Sequence, residues 1–156
     1  MSEPSPARIV ADSDVLAADL LVGGDARTCL DHVRSNSWVT LVASDPLLDD
    51  AEEVIERLAD AELAADWRER IEELREPVDQ PDDDHPALAS AYHGGAMHVL
   101  SFDDRLTSTT GNRMVRDRVE TTVRTPHAFA RLFDPAKLYP EVVDGEYPGP
   151  DRDPRS

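Results

Sequence analysis

Acidic residues follow two short apolar segments of this chain, at positions where carboxylates could bind a metal ion. Asp12 and Asp14 come directly after residues 9–11 (IVA), and Asp103 follows residues 97–101 (MHVLS). Carboxylate oxygens are the ligands that Mg²⁺ and Mn²⁺ prefer in proteins. Ions held in this way orient an attacking water, lower its pKa and stabilise the charge that develops on a phosphate. The positions therefore suggest a metal site.

Two further acidic segments compete for membership of the same site. Asp50 lies in a helical pattern that follows the apolar residues 38–43, and its neighbour Asp49 is an alternative to it. Asp84 ends the triplet at residues 82–84, whose three aspartates are equivalent by sequence alone. One of the three could instead cap the helix that follows.

The charge balance of the chain offers another explanation for each of these acids, namely that it is a solvated surface residue. The chain of 156 residues has 33 acidic and 16 basic residues, for a formal net charge of −17, and Lys137 is its one lysine. An acidic, lysine-poor chain whose apolar residues are periodic resembles a protein from a halophile, because high salt screens the self-repulsion of such a charge. A broad basic surface for nucleic acid is not visible. A single acid is more often a solvated surface residue, so a site must stand out from this background.

The elements that would position the acids alternate between strands and helices. This alternation predicts an α/β fold in three α/β/α layers, with a central parallel sheet of four or more strands. In such sheets ligands bind beyond the carboxyl ends of the strands, where several of the acids lie. The expected strands are at residues 9–11, 38–43, 97–101 and 119–123.

The chain divides into three parts by composition. We expect a flexible N-terminus at residues 1–6, one domain at residues 7–134, and a Pro-rich C-terminal tail at residues 135–156 that lacks a core of its own. No apolar run is long enough to cross a membrane, and the first residues lack a secretory pattern. A cytoplasmic location is therefore expected.

Other chemistry is less well supported by the residue types present. A lone cysteine, Cys29, excludes an internal disulfide and any multi-cysteine zinc site. The spacing of His85, His93 and His98 matches no helical pair of zinc ligands.

Aromatic and basic residues suggest how the chain could contact nucleic acid. Trp38 and Trp67 are expected in the core or at an interface rather than as a stacking platform for bases. Arg105, Arg113 and Arg116 follow the acids of the third strand and are candidates for local contacts with phosphate, although arginines such as Arg113 and Arg116 more often balance the many acids.

With these motifs in order, the sequence resembles the PIN-domain family of metal-dependent nucleases. Four motifs of that family occur in the family's order. They are an Asp-Ser pair after the first strand, a helix that begins with Ser and carries an acid, a helix led by Asp that is followed by a Gly-Ala turn and a terminal Ser-x-Asp, and a closing strand with Pro-x-x-Phe. The four stretches are VADSDVL (10–16), SDPLLDDAEEVI (44–55), DDDHPALASAYHGGAMHVLSFDDRL (82–106) and VRTPHAF (123–129).

The resemblance implies a function and a set of site residues. It implies Mg²⁺- or Mn²⁺-dependent endoribonuclease activity, with RNA as substrate and Asp12, Asp50, Asp84 and Asp103 as catalytic residues. Asp12, Asp84 and Asp103 would be the metal ligands. Many members of that family are toxins, so an antitoxin-like protein is one expected partner and a second copy of the chain is another.

The chain departs from the family pattern at two positions. The family usually has Glu where this chain has Asp50, and Asn where it has Asp14, which adds negative charge and removes an amide donor. Ser13 and Ser101 would orient the acids through their hydroxyls. A non-catalytic PIN-like module that acts by binding or assembly is the alternative, because a fold does not determine a function.

Overall fold

In the computed structural model, the residues described are 5–79, 85–107 and 121–155. Five strands lie among them: β1 (Ser5–Ala11), β2 (Thr40–Ala43), β3 (Arg75–Pro77), β4 (Ala96–Leu100) and β5 (Thr122–Arg124). The helices are α1 (Ser13–Leu21), α2 (Gly24–Ser35), α3 (Asp45–Leu58), α4 (Ala61–Leu74), α5 (Pro86–Gly94), α6 (Asp104–Thr107), α7 (Pro126–Leu132) and α8 (Pro135–Val142).

The strands form one parallel sheet in the order β3-β2-β1-β4-β5, flanked by helices. The predicted α/β fold is confirmed. The central strand β1 pairs with β2 on one side and with β4 on the other. Along the chain, β2 and β3 are therefore added on one side of β1, and β4 and β5 are then added on its other side. This reversal creates a topological switch point between the carboxyl ends of β1 and β4, where open α/β sheets bind ligands.

Burial on both faces explains why the strands read as continuous apolar runs. Ile9, Val10 and Ala11 are fully buried although consecutive side chains of a strand point to opposite faces. Helices must therefore cover both sides of β1.

Local capping sets where the helix that carries Asp50 begins. The Ser44 hydroxyl accepts a hydrogen bond from the Leu47 N–H at 3.3 Å, and Pro46 occupies the first turn of α3. Both residues favour a helix start, because serine satisfies free N–H groups there and proline has no N–H to leave unpaired. The apolar side of α3 is buried, so its start point determines the direction in which its acids project.

β3 is an element that the sequence did not predict. The sequence predicts a helix to residue 76, but α4 ends at Leu74 and the backbone of Arg75 becomes extended, with φ −76° and ψ 151°. Arg75 donates a hydrogen bond to the Ala43 carbonyl at 2.9 Å, and the strand pairs with β2 through its backbone. Pro77 is tolerated because β3 lies at the sheet edge.

The helix α5 packs very closely on the sheet through a glycine. A Cβ added to Gly94 would overlap Val42 Cγ1 of β2 and would lie 3.2 Å from Val42 Cβ. The next residue, Gly95, ends the helix with φ 66°, a conformation that glycine adopts without strain. The Gly-Gly pair therefore sets both the approach of α5 and the turn into β4.

The C-terminal segment contains a helix and a strap. None of the residues of α8 is buried. The strap at residues 147–155 returns to the end of α2: the Tyr147 hydroxyl donates to Asn36 Oδ1 at 2.7 Å, and Arg152 donates to the Val33 carbonyl at 2.9 Å. Arg155 forms an ion pair with Asp31 at 2.7 Å.

Among residues 5–79, 85–107 and 121–155, no helix has the length and apolar character that a membrane crossing requires.

Candidate functional site

The register of the central strands brings two distant segments together at the switch point. Ala11 of β1 is opposite Leu100 of β4, and the N–H of Asp12 donates to the Leu100 carbonyl at 2.8 Å. Asp12 and Ser101 are consequently the first residues beyond the ends of two adjacent strands. The sequence predicted this proximity, because parallel strands end at one edge of the sheet.

Asp12 is held in place by two hydrogen bonds. It is only 8% exposed and caps α1, with Oδ1 accepting from the Ser13 N–H at 2.8 Å. Its Oδ2 accepts from the Ser101 hydroxyl at 2.9 Å. Ser101 thus orients the carboxylate through its hydroxyl as expected, whereas the contact from Ser13 uses the backbone N–H.

The same serine links Asp12 to Asp103. The Ser101 Oγ accepts a hydrogen bond from the Asp103 N–H at 3.0 Å while it donates to Asp12. Asp103 in turn accepts from the Arg105 N–H at 2.9 Å and from its guanidinium at 3.2 Å, and these hydrogen bonds lower the pKa of Asp103. Asp103 is therefore an ionised carboxylate that already has a cationic neighbour.

Asp14 has the most strongly shifted pKa of these acids. The sequence analysis named it as an acid directly after the first strand, but it is not among the site residues that the resemblance implies. Its Oδ2 accepts from the Phe102 N–H at 3.1 Å, but its Oδ1 is buried without a hydrogen-bond partner among the described residues. Burial above all, then the charge of Asp12 and more weakly that of Asp103, raises the pKa of Asp14 from 3.8 to about 6. Its position two residues after Asp12, at the end of the first apolar segment, was the sequence signal for it.

Asp50 faces this edge from α3, while its competitor Asp49 does not. Partial burial, the charges of Glu53 and Asp49, and the charge of Asp12 raise the pKa of Asp50. Asp49 instead forms an ion pair with Arg68 of α4 at 2.7 Å. The charge of Asp12 therefore acts on Asp50, whereas Asp49 is engaged with Arg68.

His85 is a second residue that the sequence analysis did not place in the site. It caps α5, with Nδ1 accepting from the Ala87 N–H at 3.2 Å. His85 lies within electrostatic reach of both Asp50 and Asp103. The available signal was its position directly before Pro86, a proline suited to a first helical turn. Asp84, a predicted catalytic residue and metal ligand, lies outside the described residues.

A family model matches residues 3–155 of the chain and is described as a family of unknown function, DUF7384. The chain belongs to the DUF7384 family. Membership assigns no activity, so the chemistry of this DUF7384 protein must be argued from its own residues. No curated protein and no solved structure matches the chain.

The acids at the switch point differ from the acidic background of this DUF7384 chain. Elsewhere, carboxylates in the described part are commonly neutralised: buried Asp19 is paired with Arg34, and Asp31 with Arg155. Across residues 5–79, 85–107 and 121–155, neither Asp12 nor Asp14 forms an ion pair. Two adjacent carboxylates, buried or partly buried and lacking a cation, are the kind of feature that marks a functional site.

The donor chemistry of this edge suits a hard divalent cation. The unpartnered Oδ1 of Asp14 and the remaining lone pairs of Asp12 are carboxylate donors, which Mg²⁺ and Mn²⁺ prefer. Within the described ranges, no group of three or more His, Cys, Asp or Glu residues is already arranged to hold a metal ion. Of the predicted phosphate contacts, Arg105 binds Asp103, and Arg113 and Arg116 lie outside the described residues.

Proposed function

We propose that this chain is a PIN-like endoribonuclease that hydrolyses RNA phosphodiesters with Mg²⁺ or Mn²⁺. The observation that carries the proposal is the junction at the switch point. Asp12 and Asp103 share the Ser101 hydroxyl there, beside an Asp14 whose pKa is raised to about 6. The ordered motifs described above support the same conclusion, and an RNA substrate fits the expected cytoplasmic location.

Each residue of the edge has a defined task in this proposal. Asp12, Asp14 and Asp103 would hold the ion, with Asp50 as a further acid on the same side and Asp84 as the ligand implied by the family resemblance. A bound ion supplies an oriented water of lowered pKa and stabilises the charge that develops on the phosphate. Ser101 keeps two of the carboxylates in fixed positions, so that little reorganisation is needed when substrate arrives.

Asp14 couples protonation to ion binding. A carboxyl whose pKa is about 6 carries a proton in part of the molecules near neutral pH. A cation binds the ionised form, so binding releases that proton and becomes tighter as the pH rises through 6. Activity should therefore increase with pH across this range if the ion is essential.

The test is metal-dependent cleavage of a mixed RNA pool in concentrated KCl, with and without Mg²⁺ or Mn²⁺. Asp12→Asn should abolish cleavage, because it removes a ligand charge while retaining an oxygen that can accept from Ser101. Asp66→Asn is the matched control, since Asp66 is an exposed acid of α4 and its loss changes the net charge equally. Cleavage that survives chelation, or that is lost equally in both variants, contradicts the proposal.

A second candidate function is a non-catalytic binding or assembly module. It is favoured by the engagement of Asp103 with Arg105 and by the absence of a preformed group of metal ligands among the residues described. Its partner would be an antitoxin-like protein or a second copy of the chain. Calorimetric titration with Mg²⁺ separates the two functions, because the module predicts no binding that depends on Asp12 and Asp14.

A further inference from the structure

An exposed aromatic ring lies between the residues of the acidic edge. Phe102 follows the fully buried Ser101 and precedes Asp103, yet its own residue is 47% exposed. The other exposed large apolar residues in the described part of the chain are aliphatic. They are Val22, Leu58, Leu132, Val142 and Val143.

The backbone that carries the Phe102 ring is anchored by hydrogen bonds at Phe102 and at both neighbouring residues. The Phe102 N–H donates to Asp14 Oδ2 at 3.1 Å, and the preceding N–H of Ser101 donates to the Arg124 carbonyl at 3.0 Å. The following N–H, of Asp103, donates to Ser101 Oγ at 3.0 Å. Three consecutive backbone N–H groups are therefore anchored, so the ring is presented on a fixed support.

We infer that Phe102 is a stacking platform for one base of a single-stranded RNA bound at this edge, an inference that rests on the proposed function. The chain has a net charge of −17, so attraction of phosphates to a broad basic surface cannot supply the affinity. Stacking on an aromatic ring does not depend on charge, and every base has a face that can stack.

The same geometry specifies single-stranded RNA over a duplex. In a duplex the bases are stacked on one another and cannot lie on a protein side chain, whereas unpaired bases can be splayed onto one. Phe102 directly precedes Asp103 and its N–H donates to Asp14 Oδ2, so a base on Phe102 would place its nucleotide beside these two acids. Phe102 would thereby position the phosphate as well as bind the base. Trp67, 5% exposed, is in the core and does not compete for this role.

The experiment measures binding and cleavage separately. A fluorescein-labelled single-stranded RNA 12-mer is titrated in Mg²⁺ and, to prevent turnover, in Ca²⁺, with anisotropy as the readout. Phe102→Ala should weaken binding by about 5- to 150-fold, the range for loss of one base–aromatic stack. Phe102→Trp should retain or improve the affinity, and binding to the same sequence as a duplex should be insensitive to both changes.

Two controls separate stacking from a general disturbance. Leu132→Ala removes another exposed apolar side chain, 54% exposed on α7, and should leave binding unchanged. A 12-mer series with one abasic nucleotide at successive positions should contain one member for which wild type and Phe102→Ala bind equally. Thermal unfolding of each variant confirms folding, since the Asp14 contact uses the Phe102 backbone and survives the substitution.

The outcomes distinguish the stacking inference from the proposed function. Binding and metal-dependent cleavage that are unaffected by Phe102→Ala overturn the stacking inference alone. Binding that depends on Phe102, without cleavage, removes the nuclease function and leaves the stacking inference supported. A wild-type chain that neither binds nor cleaves the 12-mer overturns both.

Discussion

Asp14→Asn should stabilise the metal-free protein at neutral pH, although it removes a charged residue from the candidate site. The pKa of Asp14 is raised from 3.8 to about 6 by burial and by the charges of Asp12 and Asp103. Asparagine has nearly the same shape, keeps an oxygen for the Phe102 N–H and has no charge to repel the neighbouring acids. The gain should therefore come from removing an unfavourable ionisation and not from new packing.

The magnitude follows from the two pKa values. They differ by about 2.2, which corresponds to about 3 kcal/mol. Solvent reaches part of the Asp14 side chain, and its screening reduces the expected gain to about 1–2 kcal/mol. The sign is set by proton binding: between pH 3.8 and pH 6 the folded state of Asp14 retains a proton that the unfolded state has lost. The free energy of unfolding of the wild type thus falls through this interval and is level above it.

Urea unfolding at two pH values, with a chelator present, tests this reasoning. At pH 7.5 the substitution should show the full gain, and at pH 4.5 about one third of it. Asp66→Asn removes one negative charge, as Asp14→Asn does, and should change the free energy of unfolding by less than about 0.5 kcal/mol at either pH. A gain that is equal at both pH values, or a loss at pH 7.5, would refute the account of Asp14 as a buried, repelled carboxyl. Mg²⁺ should then stabilise the wild type more than Asp14→Asn.

Three further predictions follow from the packing and the hydrogen bonds. Gly94→Ala should destabilise the fold by about 1–3 kcal/mol through its overlap with Val42, and Val42→Ala in the same chain should recover part of that loss in denaturant unfolding. Tyr147→Phe should cost about 1–2 kcal/mol, measured in the same way, because it leaves the buried Asn36 amide without the hydroxyl of the strap. Arg105→Ala should raise the pKa of Asp103 in an NMR titration, because the hydrogen bonds of Arg105 lower that pKa. The same substitution should tighten Mg²⁺ binding measured by calorimetry. An unchanged pKa of Asp103 would contradict the described contact.

Much of the fold could be predicted from local patterns. The strands at residues 9–11 and 97–101 are buried apolar runs, and their acids follow them directly, so the proximity of Asp12 and Asp103 required only that the strands be parallel neighbours. The start of α3 was readable from Ser44 and Pro46, because helix capping depends on a few adjacent residues.

The parts that could not be predicted depend on contacts between distant segments. β3 has the sequence Arg-Glu-Pro, which contains no apolar signal, and it is a strand because its backbone pairs with β2. The raised pKa of Asp14 requires burial against residues about 88 positions later, and nothing in residues 10–16 encodes that. Asp49 and Asp50 were distinguishable only once α4 had placed Arg68 beside the former.

The return of β4 to the free edge of β1 also has a consequence for how fast the protein folds. The hydrogen bond between Ser101 and Asp12 closes a separation of 89 residues, whereas β1, β2 and β3 pair in chain order. Long-range parallel pairing is slow, because the entropy of closing the loop is lost before the contacts that compensate for it form. Docking of β4 also brings Asp103 up to Asp12 and Asp14, so like charges oppose this step and KCl should accelerate refolding. In a folding intermediate with only the first three strands paired, Asp12 would lack its hydrogen bond from Ser101. The cluster of carboxylates would therefore form only when β4 docks.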